Sequence, residues 1–276
     1  MKAEKRNNRL TVPIPSGSVT LVGAGPGDPE LLTLKAVRAI SKATVILVDD
    51  LVNDAVLAHA NASARIVHVG KRGGCQSTPQ SFIEKMMVLE YQRGGAVVRL
   101  KGGDPLIFGR AGEEMAALDA ADIPYTIVNG ITSSLAAAAT LGVTLTHRDH
   151  AHGVLFVTGH AKKDGEETNW SLLGEMTSKL KLTLVIYMGT SHAQEIQSGL
   201  MMHSPANTPV ALIQNVSCIN ERRVSTELVD LVACIQRESL KSPLIMVIGD
   251  VTRLTKIIST EHVSLKQEGY NTRLVA

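Results

Sequence analysis

Aromatic residues are nearly missing from this chain: one Trp, four Tyr and three Phe in 276 residues. The core must therefore be built from Val, Leu, Ile, Ala and Met, and little ring surface is left on which RNA bases could stack. A large excess of charge of one sign is also missing. The formal net charge is +2, which argues against a dedicated nucleic-acid surface but leaves room for a local basic pocket. Cysteine is scarce: Cys75, Cys218 and Cys234 are odd in number and widely spaced, giving neither a disulfide framework nor a zinc pattern. A reducing cytoplasm is the simple expectation. No long apolar run occurs. Residues 1–16 are basic and polar without a signal-peptide core. The longest low-charge stretch, 130–146, is interrupted by Gly, Thr and Ser, so no membrane partner is expected.

What is present is an alternation of short β-branched runs and amphipathic helical patterns. It predicts an α/β fold of two α/β domains with mostly parallel or mixed sheets. Residues 19–22 form the first β run and enter a glycine turn, after which Asp28 and Pro29 look like the cap and first position of a helix. Further strands are expected at 44–48, 65–69 and 96–100, with a helix opened by Thr78-Pro79 and running toward Gln92. In the second half, strands are expected at 154–158, 183–187, 209–213, 222–226 and 244–248, and helices at 192–202 and 228–238. The boundary is placed near Ile131, giving domains at 18–131 and 132–254 between tails at 1–17 and 255–276. Polar motifs follow the β runs, and in a parallel sheet such strand ends share the ligand-binding edge. Asp28, Asp49, Lys71 and Asp104 are therefore expected to converge.

Gly23-Ala24-Gly25-Pro26-Gly27 is a poor dinucleotide fingerprint. Its third glycine comes one residue early, and Pro26 removes an N–H that a pyrophosphate would use. A tight strand-to-helix turn needs glycine in any case. Lys101-Gly102-Gly103-Asp104-Pro105-Leu106-Ile107-Phe108-Gly109-Arg110 is more pointed, because charged groups flank a glycine turn at a strand end. Asp104 alone could be a cap for the next segment. In Thr144-Leu145-Thr146-His147-Arg148-Asp149-His150, Arg148 suits a carboxylate ligand, with a surface ion pair to Asp149 an equal alternative. His147 and His150 lack the spacing and company of a metal site, so no metal is expected. Met188, after Tyr187 at a strand end, reads by itself as packing.

Joined in order, these blocks resemble the uroporphyrinogen III C-methyltransferases of the tetrapyrrole methylase superfamily. The resemblance runs from about Ser18 to Val251. It rests on residues 22–35, on Gly70-Lys71-Arg72, on 98–105 and on Ile107-Phe108-Gly109-Arg110 with Gly112-Glu113-Glu114. Leu145-Thr146-His147-Arg148-Asp149, Val157-Thr158-Gly159-His160 and Tyr187-Met188-Gly189 complete it. It implies a homodimer with the active site in a cleft between the two domains. It implies S-adenosyl-L-methionine as methyl donor, leaving S-adenosyl-L-homocysteine. Pro26, Gly102, Gly103, Asp104, Ile107, Thr132, Ser133, Met188 and Val216 would line the donor's site. Asp49 and Lys71 would be proton acceptor and donor. Arg110 and Glu113 would join the catalytic set, and Arg72, Arg148 and His160 would bind the tetrapyrrole.

That chemistry is physically coherent. A pyrrole carbon is a soft nucleophile and the sulfonium methyl an electrophile, so an in-line transfer asks mainly for placement, which can supply ~7–11 kcal/mol. The methylated ring is cationic and must lose a proton to a base such as Asp49 or Glu113. Two transfers give precorrin-2, at the branch toward sirohaem and cobalamin. The chain departs from the family pattern at Asp50 (usually Arg), Asn129 (usually Pro), His150 (usually aromatic), Val216 (usually Gly) and Leu244 (usually small). Asp50 would repel a substrate carboxylate that an arginine would hold. Rival readings are a methylase of another precorrin, of ribosomal RNA or of a protein side chain, a non-catalytic tetrapyrrole or methyl-donor binder, and a dehydrogenase.

Overall fold

A computed structural model of the chain describes residues 17–70, 78–160 and 167–254. Two compact units divide it: the first runs through Gly25 and from Pro29 to Gly130, and the second takes Pro26–Asp28 and continues from Ile131.

The first unit is a fully parallel sheet of β1 (Ser18–Gly23), β2 (Val45–Val48), β3 (Arg65–His68), β4 (Ala96–Lys101) and β5 (Tyr125–Val128), in the order β3-β2-β4-β1-β5. Side chains alternate across it with the strand period. Val22, Ile46, Val48, Val98 and Leu100 face Ala36, Ala39 and Ile40 of α1 (Leu34–Lys42). Val19, Leu21, Val45, Leu47 and Val97 face Ile83 and Met87 of α2 (Gln80–Gln92) and Ala111 and Leu118 of α3 (Ala111–Asp119). Both faces are covered at the centre of the sheet, which is why β1 and β2 are fully buried, near-continuous apolar runs.

The second unit holds β6 (Gly153–Thr158), β7 (Leu182–Tyr187), β8 (Pro209–Gln214), β9 (Arg222–Glu227) and β10 (Leu244–Ile248), ordered β6-β7-β10-β8-β9. Only the β6–β7 pair is parallel; β7–β10, β10–β8 and β8–β9 are antiparallel. This sheet is thus mixed and mainly antiparallel, while the first is wholly parallel, in line with the parallel or mixed sheets expected. One face packs Leu184, Ile186, Leu212 and Met246 against α5 (Trp170–Leu180), α6 (Ala193–Leu200) and α7 (Leu231–Arg237). Helix α4 (Ser133–Leu141) packs on β10.

Two local expectations are corrected. Asp28-Pro29 opens only a short 3₁₀ turn, Pro29–Leu31; the helix starts at Leu34, because Thr33 is the residue whose side chain accepts the Ala36 N–H, at 3.1 Å. Asp28 instead donates its N–H to Ser217 Oγ at 3.1 Å and groups with the second unit. Likewise Thr78 is not the cap of α2: Pro79 occupies that position without a side-chain bond.

Candidate active site

In the first unit the C-terminal ends of the parallel strands share one edge. β1 and β4 are neighbours there, yet β1 leads to α1 on one face and β4 to α3 on the other. That divergence is where an open parallel sheet binds ligands. The loops after β1, β4 and β5 meet there through glycine. Gly25 and Gly103 exchange both backbone bonds, at 3.2 and 2.7 Å, each with positive φ (76° and 64°). A Cβ on Gly23 would lie 2.5 Å from Gly130 N and 2.7 Å from Gly103 O. Such backbone approach is open only to glycine.

Asp104 is buried and fully engaged. Its Oδ1 accepts the Leu106 N–H at 2.8 Å, and its Oδ2 accepts the Gly130 N–H at 3.0 Å and the Asn129 side-chain amide at 3.2 Å. Asp104 is therefore both the cap of its own turn and a tie between the β4 and β5 loops. Gly102 lies where a Cβ would reach 2.8 Å from Leu51 Cβ, so the turn is pressed against the loop that follows β2. Ile107 sits one turn on, its N–H bonded to the Asp104 carbonyl.

Asp49 ends β2 at the same edge. Its carboxylate is about a third open (36 %), with Oδ2 3.6 Å from Arg99 Nη2 and Oδ1 accepting the Asp50 N–H at 3.2 Å. Beneath it lies a charge cluster that the sequence reading missed. Arg99 and Lys101 alternate with Val98 and Leu100 on β4, so they point together at α3. There Glu114, fully buried, accepts Arg99 Nε at 2.9 Å, Lys101 Nζ at 2.9 Å on both oxygens, and the Gln80 side-chain amide at 3.3 Å. Burial pulls the Lys101 ammonium below its usual range, and Glu114 works against that pull. The available signal was two cations at strand spacing inside an otherwise apolar parallel strand. Such groups are almost never fully buried unless paired.

Arg110 and Glu113 come together as expected, in an exposed bidentate ion pair with Nε–Oε1 at 2.8 Å and Nη2–Oε2 at 2.7 Å. The carboxylate holds the guanidinium charged even more firmly than usual. Arg110 has left-handed backbone, φ 58°, as has Phe108 at 52°. For non-glycine residues such strain tends to gather at binding sites. Lys71 and Arg72 lie outside the described residues.

In the second unit the ends of β6, β7 and β8 share an edge. Met188 follows β7 with φ 54° and nearly half its surface exposed (47 %). Val216 follows β8, buried, between Asn215 and Ser217, both at positive φ. The Tyr187 hydroxyl reaches Thr132 Oγ1 at 2.7 Å and accepts the Ser134 N–H at 3.1 Å, fixing the start of α4, where Thr132 and Ser133 lie, beside the end of β7. Pro26 belongs to this unit, and its neighbour Gly27 faces Val216 and Cys218: a Cβ there would lie 3.1 Å from the Val216 carbonyl. Pro26, Thr132, Ser133, Met188 and Val216 are thus brought to one region. His160, after β6, is exposed, its ring 5.9 Å from that of His192. Arg148 is exposed and, among the described residues, forms no ion pair. The surface pair with Asp149 is absent, because Asp149 turns to His147, 3.9 Å from Nδ1. Among the described residues no metal-ligating cluster occurs and no helix is long and apolar enough to cross a membrane.

Glycine-cradled, strained strand-end loops on two α/β units define a class: small-ligand enzymes of the α/β type whose first turn is not a dinucleotide fold's. Within it the chain belongs to the tetrapyrrole (corrin/porphyrin) methylases, whose family model matches residues 18–232. It is 52% identical, over 86% of its own length and 95% of the relative's, to the uroporphyrinogen-III C-methyltransferase of Pseudomonas aeruginosa. It is 45% identical to a siroheme synthase of Pseudoalteromonas translucida over 87% of this chain, but spans only about half (50%) of that protein. Among solved structures, the uroporphyrin-III C-methyl transferase of Thermus thermophilus complexed with S-adenosyl homocysteine matches with a TM-score of 0.72 at 37% identity, covering 86% of this chain and 99% of that one.

Proposed function

We propose that this chain transfers methyl groups from S-adenosyl-L-methionine to two pyrrole carbons of uroporphyrinogen III, giving precorrin-2. The observation that carries the proposal is Asp49: a partly open carboxylate, backed by a buried cation, on the glycine-lined edge of a tetrapyrrole methylase fold. The residues assigned to the methyl donor are Gly102, Gly103, Asp104 and Ile107, and Pro26, Thr132, Ser133, Met188 and Val216. The placement of the sulfonium methyl against the ring carbon does most of the work. Asp49 accepts the proton that the methylated ring must lose, Lys71 serves as proton donor, and the Arg110–Glu113 pair acts beside them. Arg72, Arg148 and His160 meet the substrate's carboxylate arms. The same reading takes the enzyme to be a cytoplasmic homodimer.

Anaerobic incubation with uroporphyrinogen III and S-adenosyl-L-methionine tests this directly. Mass and absorbance should report two added methyl groups. Donor binding with no methyl added would defeat it. Asp50 favours a second reading, in which the substrate is another precorrin. Exposed beside Asp49, it puts a second anion where the family's arginine would hold an acidic arm. Methylation of such a precorrin but not of uroporphyrinogen III would select that reading.

Tyr187→Phe follows from the hydroxyl that ties α4 to β7. The substitution keeps the ring but strands the Ser134 N–H and the Thr132 hydroxyl, at a cost of roughly 1–3 kcal/mol. Calorimetric titration with S-adenosyl-L-methionine should show about tenfold weaker binding, with kcat at saturating donor changed less than KM.

A further inference from the structure

We infer that Arg99 is a positioning residue for Asp49, serving the buried cluster's one unbalanced charge to that carboxylate. The inference rests on the proposed role of Asp49 as proton acceptor and adds to it the group that holds Asp49 in place.

Lys101 and Glu114 form a closed pair: the ammonium reaches both carboxylate oxygens at 2.9 Å, and both side chains are buried. Arg99 is the second cation of the cluster, 2% exposed, and Glu114 has no second negative charge to give it. Its Nη1 spends its donors on the Leu47 and Leu100 carbonyls, at 3.3 and 3.2 Å, and its Nε on Glu114. What remains is Nη2, and it faces Asp49 Oδ2 at 3.6 Å. A buried guanidinium needs a counterion; Glu114 is shared with Lys101, and Asp49 is the second carboxylate in reach. Lys101 also acts electrostatically on Asp49, and Asp50 lies next along the chain, its N–H on Asp49 Oδ1.

The geometry has a consequence for catalysis. The contacts of Arg99 with two strand carbonyls and with α3 lock the guanidinium to the sheet, so the negative end of Asp49 is referenced to rigid backbone instead of to its own loop. Preorganised charge at the reacting edge is what a proton-abstraction step uses.

The test is a double-mutant cycle on the full chain, read by steady-state kinetics and by single-turnover methylation of uroporphyrinogen III with enzyme in excess. Arg99→Met leaves the Lys101–Glu114 pair intact; it should slow turnover by about 10- to 100-fold, with KM for both substrates and S-adenosyl-L-methionine binding unchanged. Arg99→Lys, which keeps the charge, should recover part of that loss. In an Asp49→Asn background, Arg99→Met should cause little further loss, because residues acting through one another are not additive. If Asp49→Asn turns over too slowly to measure, the cycle is run on Asp49→Glu. An equal loss in both backgrounds, or no loss from Arg99→Met in a variant that still binds the donor, overturns the inference and leaves the base role of Asp49 standing. Full activity in Asp49→Asn overturns both. A variant of Arg99 that binds no donor is judged on Arg99→Lys by the same cycle.

Discussion

Replacing Glu114 by Gln should unfold the first unit far more readily than any surface change, costing about 3–5 kcal/mol. The isosteric amide keeps the shape but leaves Arg99 and Lys101 as two cations buried side by side with one counterion, Asp49, at the rim. For a chain of this size that is a drop on the order of 10 °C in the melting temperature. The deficit should also depend on pH. Burial and the neighbouring Arg99 already depress Lys101, and Glu114 is the main group opposing them. Without it the folded state sheds the Lys101 proton at lower pH than the unfolded chain does. Between those two values the unfolded state binds more protons, so the stability of the Gln variant rises with pH. A Lys101→Met, Glu114→Leu double variant removes a neutral pair and leaves Arg99 with Asp49. It should be much closer to wild type, since apolar replacement of a whole buried pair is often near neutral. Thermal melts of both proteins from pH 6 to 10 check this; a double variant as unstable as Glu114→Gln alone would refute the charge argument.

The same cluster shows where sequence was transparent and where it was opaque. The strands of the first unit were legible because a parallel sheet buried on both faces demands apolar, β-branched-rich runs; 19–22 and 44–48 supply them, and 96–100 does so apart from Arg99. The edge position of Asp49 and Asp104 followed from that parallel order alone. Helix α3 was not legible. Its inward face carries Glu114, and its second residue is Gly112, so the apolar period fails where the ion cluster replaces hydrophobic packing. Helix α4, Ser-Ser-Leu-Ala-Ala-Ala-Ala-Thr-Leu, has almost no polar face to set a period against. The cap at Thr33 lost out to Asp28-Pro29 because both carry valid start signals, and only tertiary contact with Ser217 decides between them. The antiparallel β8–β9 and β10 arrangement left no local mark, since strand propensity is blind to direction. Of the residues proposed to line the donor, Thr132 and Met188 gained weight only through resemblance. The bond that ties Thr132 to Tyr187, the residue before Met188, bridges 55 residues of sequence and has no local signature.

Gly130→Ala should do the most damage of any single methyl group added to this protein. The new Cβ would collide with the Gly103 carbonyl oxygen, with Gly23 Cα next at 2.8 Å. All three neighbours are backbone, so no side chain can swing away. The Gly103 carbonyl also accepts the Gly25 N–H, and the Gly130 N–H is one of the donors that satisfy buried Asp104. Pushing them apart adds an overpacking cost of about 1–3 kcal/mol to the loss of a donor to a buried carboxylate, again about 1–3 kcal/mol. The turn at Gly102–Gly103 would have to move by a good fraction of an ångström, and misplacement of about that size can cost a site ~10²-fold. The expected result is a folded but destabilised protein whose affinity for S-adenosyl-L-methionine falls by roughly that factor. Gly112→Ala is the matched control. It adds the same methyl at an exposed helical site with nothing within 4 Å, and should stabilise by up to ~1 kcal/mol while leaving donor binding alone. Calorimetry on the pair separates the two ideas of what these glycines do. If Gly130→Ala binds the donor as well as Gly112→Ala does, the clamp of β1, β4 and β5 loops is a packing detail, and the donor's site must be sought away from that edge.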